Sequence, residues 1–524
     1  MTSFTIIPDL QALVIESSDP RLVTLIPSAF ELAPGFVGMP HSIDTVARLA
    51  LLGVTVDSPI QHYYRWPRER TLIPQPFAHQ MATSGFFITN PRSYCFSSIG
   101  VGKTLSAAWA ADYLLEVGAI RTVLVVSTLS SLERTWGDAF YFNFGHRKFK
   151  VLHGTADKRR KLLAQPAELY IINYAGVAVI QKELIAKNFD LVILDECAEC
   201  GKKNTGLWKS LDQLIYPKGR PPIPWVWGMT ATPIPNSPVD AFPQLKLITP
   251  TRAPQFFTQW KNMVMDHQSL YVYTPRKEAT AIVHQAMQPA IRFVRDEIMD
   301  LPPTIYSTRD VEMSSEQKKH YQAISRELYT EVNGKKITAI NQGVMLSKLL
   351  QVACSCVYAS DGSPQEIDPG NRIDVLMEII EQVNERVIVY VPFTAVTAML
   401  MRKLNAHWNF AVVTGETSTG ERNRIFTAFQ SKDADIDIVA HPGTMAHSLT
   451  LTEASTIIWF APVDSNRVYE QANGRITRAG QKYTANIIHL AGSAVERKMY
   501  KRLQERQSAQ GLLLSMVEKK EALI

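Results

Sequence analysis

The sequence predicts an α/β fold: two parallel-sheet domains in tandem, a helical insertion between them and a small N-terminal accessory module. Three observations carry this prediction. Short β-rich runs alternate with helical segments from Phe77 to about residue 254, and again from about 366 to 505, the pattern of parallel sheets covered on both faces. Between the two series, residues 255–365 read as mostly helical, with Gln317-Lys318-Lys319-His320-Tyr321 and Leu346-Ser347-Lys348-Leu349-Leu350 inside periodic segments. The length of 524 residues exceeds what one hydrophobic core serves and suggests about three domains.

The elements follow in order. Residues 1–75 are rich in proline and aromatics and form the accessory module, which ends in an entry segment carrying Tyr63-Tyr64-Arg65-Trp66-Pro67. Those rings suit packing onto the next domain better than stacking on bases. Residues 76–254 form the first sheet domain, with strands at Ser93–Ser98, Val123–Ser127, Leu169–Asn173, Leu191–Leu194 and Trp225–Met229, and a helix from Lys103 through Leu115. The insertion, 255–365, closes at Asp361-Gly362-Ser363-Pro364, and Pro369-Gly370 follows as a second turn signal. Residues 366–505 form the second sheet domain, with strands at Val387–Val391, Phe410–Thr414, Ile436–Ala440, Thr456–Trp459 and Ala485–His489, and 506–524 a terminal helix.

Composition bounds the function. A net charge of +6 suits a polyanionic partner. No apolar run is long enough to span a bilayer, and Met1-Thr2-Ser3-Phe4 lacks the basic-then-apolar start of a secretory signal, so a cytoplasmic protein without membrane contact is expected. Five cysteines fit a reducing compartment. Cys197-x-x-Cys200 and Cys354-x-Cys356 have spacing that zinc would accept, but they sit in apolar surroundings and read as packed hydrophobes.

Ser97-Ser98-Ile99-Gly100-Val101-Gly102-Lys103-Thr104 follows a strand and opens a helix, the context that a phosphate-binding loop requires. Backbone amides of Ser98, Ile99, Gly100, Val101 and Gly102 with the helix start can cradle phosphate. Lys103 would reach the β- and γ-phosphates, and the Thr104 hydroxyl would ligate magnesium. The first glycine of the long consensus is Ser97 here. Leu191-Val192-Ile193-Leu194-Asp195-Glu196 is an apolar strand ending in two acids. There Asp195 would hold magnesium through water and Glu196 take the proton of the attacking water. Downstream, Gln471-Ala472-Asn473-Gly474-Arg475-Ile476-Thr477-Arg478-Ala479-Gly480-Gln481 carries two arginines three residues apart, which share a face if the segment is helical.

The order of these motifs resembles superfamily 2 helicases, and within them the Swi/Snf-related branch, over about residues 75–505. Phe77-Ala78-His79-Gln80 is similar to that branch's adenine-reading segment. Val123–Thr128 with Trp136 resembles its motif Ia, Asp195-Glu196-Cys197-Ala198 its acidic box, and Lys203-Asn204 a pair beyond that box. Gly228-Met229-Thr230-Ala231-Thr232-Pro233 with Asn236 is similar to motif III. Leu301-Pro302-Pro303, Met313-Ser314-Ser315-Glu316-Gln317 and Tyr321 resemble landmarks before the second domain. Gly415-Glu416-Thr417 with Arg422 and Phe429 resembles a later motif, and Gln471–Gln481 motif VI. The chain departs from the branch at Ala198, where a histidine is usual, and at Arg295-Asp296, where a doubled arginine is usual. Met445-Ala446-His447-Ser448-Leu449-Thr450-Leu451 lacks the glycines expected of motif V.

The resemblance implies two RecA-like domains that bind ATP and Mg2+, with Gln80 reading adenine. It implies catalysis by Lys103, Glu196, Gln471, Arg475 and Arg478, and coupling through Thr230 and Thr232. Nucleic acid would touch Ser127, Thr128, Asn173, Tyr174, Thr394, Gly443 and Thr444, where small hydroxyls and amides suit phosphate contact. His153-Gly154 with Arg159-Arg160-Lys161 would add a basic patch. The expected protein is a monomeric ATP-dependent DNA translocase of a bacterial or phage-infected cell, remodelling branched, forked or duplex DNA in replication, recombination or repair. The compact, phage-type and annealing-type members of the branch are the nearest pattern. An RNA helicase and an ATPase-dead DNA-binding scaffold are the alternatives.

Overall fold

The computed structural model describes residues 3–66, 76–201, 205–235, 237–269, 272–298, 302–327, 329–332, 335–338, 342–383, 385–431, 434–445, 451–478 and 480–505. Lys203, Asn204, Asn236, Leu301, Ala479, the segments 67–75 and 446–450 (with Ser448), and the terminal helix expected over 506–524 lie outside the described residues. Two compact units partition the rest, with the break after Ile298.

The first unit begins with a four-stranded antiparallel sheet in the order Phe4–Ile7, Ala12–Glu16, Phe36–Pro40, Phe30–Ala33. Along Ala12–Glu16 inward and outward residues alternate, so Leu13 and Ile15 are buried with Val37, Met39, Leu22, Ile26 and Leu49 in a small core. Ser42 caps the following helix, Ile43–Leu51, by accepting the Thr45 amide. The chain then runs across the next domain through its aromatics. Tyr64 donates its hydroxyl to Asp112 at 2.5 Å, and the Trp66 ring meets Trp109 edge-on at 5.6 Å. Asp112 also accepts from Arg147 at 2.6 Å. These rings pack the entry segment onto the first sheet domain.

Seven parallel strands follow in the spatial order Ala290–Ile291, Arg92–Cys95, Trp225–Met229, Leu191–Asp195, Val123–Ser127, Leu169–Asn173, Phe149–Leu152. The central strands are apolar throughout because helices cover both faces; every residue of Val123–Ser127 and Leu169–Asn173 is buried. Each valine, leucine or isoleucine among them contributes about 1.5–3 kcal/mol on burial.

The second unit holds six parallel strands, ordered Thr304–Asp310, Ala485–Ala491, Ala454–Trp459, Arg386–Tyr390, Asp437–Ala440, Phe410–Val413. A fully buried ion pair ties it together. Arg372 donates to Glu496 at 2.6 Å and to the Phe460 carbonyl at 2.6 Å. The other Glu496 oxygen accepts the amides of Gly492 and Ser493, each at 2.9 Å.

The stretch 255–365 departs from a mostly helical reading. Among the described residues it has helices at Phe257–Val264, Ala279–Ala286, Arg295–Ile298, Ser315–Glu327 and Gln342–Ala353, but also three antiparallel strand pairs. It gives Ala290–Ile291 to the first sheet and Thr304–Asp310 to the second. Both are edge strands. The first is two residues long and the second is exposed along nearly all its length, so neither carries the apolar run that marks a central strand.

Candidate nucleotide site and motor residues

Parallel sheets place their working loops at the carboxyl ends of the strands, and in the first unit four neighbouring strands do so together. Cys95 pairs with Met229, and Met229 with Asp195; Val126 pairs with Leu194, so Ser127 ends beside Asp195. This register brings the glycine loop, Asp195-Glu196, Thr230 and Ser127 to one edge.

The loop has the backbone its role demands. Gly100 and Gly102 take φ of 86° and 85°, conformations that L side chains rarely adopt. A Cβ on Gly102 would also lie 1.9 Å from Gln80 Nε2. Lys103 folds onto the loop, donating to the carbonyls of Ser97 at 2.7 Å and Ser98 at 2.9 Å. Thr104 is half-buried in the first turn of the helix Lys103–Glu116. Behind the loop, Gln80 accepts the Phe77 amide at 3.0 Å and donates to the Val101 carbonyl at 3.4 Å. His79 Nε2 lies 2.9 Å from the same carbonyl, which assigns the proton to that nitrogen, and burial holds the imidazole below its ordinary pKa. Ser97 and Ser98 are anchored from the far side: the Phe293 amide donates to Ser97 Oγ and the Ser98 amide to the Phe293 carbonyl, both at 3.0 Å.

The two acids are held differently. Ser127 Oγ and Trp136 Nε1 both donate to Asp195 Oδ2 at 2.8 Å, and Tyr174 Oη donates to the Asp195 carbonyl at 3.0 Å. Glu196 stands in the left-handed region, φ 56° and ψ 55°, uncommon for a residue with a side chain and a mark of functional backbone strain. Thr230 Oγ1 donates to Glu196 Oε1 at 2.9 Å and accepts the Thr232 amide at 3.0 Å. Thr230 and Thr232, expected from the motif resemblance to take part in coupling, thereby connect to Glu196. Cys197 and Cys200 are buried, and burial pushes the Cys200 thiol up to about 12. Among the described residues no group of three or more histidine, cysteine or carboxylate side chains could hold a metal ion.

Of the residues expected to face nucleic acid, Ser127 and Tyr174 are buried and bonded to Asp195. Asn173 is buried and accepts Arg159 Nη1 at 2.9 Å. Thr128 is half-buried, with its hydroxyl 2.9 Å from that of Ser131. The basic patch is taken apart by its own neighbours. Arg159 is buried, donating also to the carbonyls of Leu152 and Gly154, and Arg160 pairs with Asp157 and Glu183; Lys161 is exposed.

In the second unit, Thr394 is exposed at the start of the helix Thr394–Leu404. Gly443 and Thr444 lie half-buried in a short turn after Asp437–Ala440; Thr444 donates to the His441 carbonyl at 2.7 Å. The arginine segment differs from a helical reading. The helix Asn466–Asn473 stops at Gly474, and Arg475 and Arg478 fall in the turns beyond it. Asn473 accepts the Trp459 indole N–H at 2.8 Å, and Gln481 donates to the carbonyls of Ala454 and Ile476. The segment is thus pinned as a loop on the core. Gln471 and Arg475 are buried and Arg478 is half-buried, donating to the Gly474 carbonyl at 2.9 Å.

A glycine loop opening a helix, a buried strand ending in two acids and a threonine bonded to Glu196 are the features of a nucleotide-hydrolysing parallel-sheet protein. The SNF2-related domain family matches residues 96–357, half of the chain, and the helicase conserved C-terminal domain matches 371–480. The chain belongs to the SNF2-related family, and it is an ATP hydrolase of the helicase class.

Relatives span different sizes. A putative protein p41 of Acyrthosiphon pisum secondary endosymbiont phage 1 is 21% identical, covering 86% of this chain and all of that protein. The CHD3-type chromatin-remodeling factors CHR7 and PICKLE of Arabidopsis thaliana are 21% and 22% identical, and this chain spans 31% of each. Among solved structures, the Sulfolobus solfataricus SWI2/SNF2 ATPase core in complex with dsDNA aligns over 86% of this chain and 96% of its own, with 19% identity and a TM-score of 0.41. No helix among the described residues is long and apolar enough to cross a membrane.

Proposed function

We propose that the protein is an ATP-dependent DNA translocase that acts on branched, forked or duplex DNA. The observation that best supports the ATP half of this reading is the convergence of the Lys103 loop, Asp195 and Glu196 on one edge of the first sheet, either side of the strand Trp225–Met229, with Glu196 held by Thr230 at 2.9 Å.

The donor set fits a nucleotide with magnesium. The positive-φ glycines leave a cradle without side chains, and both bonds to Asp195 land on Oδ2, leaving Oδ1 for a metal-bound water. The ion, bound at Thr104 and Asp195, would neutralise phosphate charge. Lys103 exchanges its loop carbonyls for phosphate oxygens, Gln80 reads adenine, and Glu196 takes the proton of the attacking water. Arg475 and Arg478, with Gln471 beside them, act on the γ-phosphate from the second sheet domain. In this role an arginine is worth roughly 10³–10⁵ in rate. Thr230 and Thr232 carry the state of Glu196 into motion of the chain.

Among the nucleic-acid candidates, Thr128, Thr394, Gly443 and Thr444 are the ones whose positions favour phosphate contact. Ser127 and Tyr174 are better assigned to holding Asp195, and Asn173 to holding Arg159. The phage relative of matching length favours a compact DNA-processing role in a bacterial or phage-infected cell over chromatin work. ATPase rates with single-stranded, duplex, forked and four-way DNA test the substrate. Greater stimulation by forked or four-way DNA is expected; equal stimulation by all four removes the branched preference, and stimulation by duplex RNA alone removes DNA.

A further inference from the structure

Trp136 sits on a single turn of π-helix, Leu132–Gly137. Such turns are rare and gather at functional sites, because they re-aim a side chain that an α-helix would point elsewhere. Its indole is fully buried and its N–H donates to Asp195 Oδ2 at 2.8 Å. Burial alone does not dictate that bond. Trp109 and Trp227 are equally buried, and their indole N–H groups have no hydrogen-bond partner in the structure. The second donor, Ser127 Oγ, reaches the same oxygen at the same distance from the neighbouring strand. Two donors on one carboxylate oxygen fix the rotation of the group and draw charge to that side. Oδ1 is left in one orientation.

We infer that Trp136, with Ser127, is a positioning residue for the metal: the pair locks the Asp195 carboxylate so that Oδ1 receives a divalent cation's water in a fixed place. This rests on the reading of Asp195 as the metal-holding acid. Partners of this kind around a metal change affinity or activity by about 10–100-fold when removed. The indole comes from the turn that follows Thr128–Ser131, and Ser127 precedes Thr128. The same short segment therefore carries both the metal clamp and a candidate phosphate contact.

The test is Mn2+ binding to the ADP complex of the full-length protein, followed by electron paramagnetic resonance. Trp136→Phe, Ser127→Ala and Asp195→Asn are compared with the parent, alongside melting curves and metal-free ADP affinity. Weakening of Mn2+ binding by about tenfold in both W136F and S127A, with metal-free ADP affinity kept, is expected. Parent-like Mn2+ affinity in S127A overturns the inference, even if W136F is weakened along with its melting temperature, because lost packing then explains the tryptophan. Loss of Mn2+ in D195N but in neither donor variant also overturns it. Parent-like binding in D195N instead overturns the assignment of Asp195 itself.

Discussion

Glu196 concentrates the chemistry that one residue can hold. Its left-handed backbone and its bond to Thr230 aim a carboxylate that otherwise would follow the strand. Glu196→Gln keeps the shape and the acceptor for Thr230 but removes the base. It is expected to lower ATP turnover by about 10²–10⁴ while ADP binding persists, as measured by steady-state hydrolysis and nucleotide titration. A second residue makes a pH prediction. Asp437 accepts the Val387 amide at 2.7 Å, and burial, with Asp435 adding to it and Arg386 opposing, raises its carboxyl to about 6. The folded state therefore holds this proton more tightly than the unfolded chain, whose aspartates titrate near 4. The stabilisation is complete below pH 4 and is lost as pH rises through 6. Asp437→Asn keeps an acceptor without the charge. Its melting temperature is expected to exceed the parent's at pH 7.5 and to match it at pH 4.

At the scale of elements, the phosphate loop depends on its glycines and the second sheet on its buried ion pair. Gly102→Ala forces a side chain into a positive φ and onto Gln80 Nε2. ADP affinity is expected to fall by at least tenfold, read by calorimetry, with the melting curve little changed. Glu496→Ala leaves Arg372 charged and buried, with loss of the caps at Gly492 and Ser493. Stripping one partner from a buried pair costs about 3–5 kcal/mol, so urea unfolding of the second unit should shift to clearly lower midpoint. The central strands and the glycine loop were legible in the sequence because buried parallel strands read as unbroken apolar runs; Val123–Ser127 and Leu169–Asn173 match their expected bounds. Of the edge strands of the two large sheets, Phe410–Val413 was legible and the others were not. Phe149–Leu152 carries lysine and is only partly covered, and Thr304–Asp310 pairs with Ala485–Ala491, far along the chain. The Trp136–Asp195 and Arg372–Glu496 bonds are long-range for the same reason. Local pattern holds no trace of a partner 59 or 124 residues away.

For the whole molecule, residue types and their order made the family readable before any geometry, and the family matches now support it. The orientation of side chains was not readable. Ser127 and Tyr174 look like surface hydroxyls in sequence, yet both turn inward to Asp195, and Arg159 in a basic run is a buried brace. The arginine motif likewise proved to be a pinned loop, because Gly474 ends its helix. In the proposed function, ATP hydrolysis at this site drives movement along DNA. Displacement of a triplex-forming third strand from duplex DNA, followed in the parent and in Arg475→Ala, tests it most directly. ATP-dependent displacement by the parent, reduced about 10³-fold with the arginine removed, is the predicted result; brisk ATP turnover on duplex DNA with no displacement of the third strand would contradict it.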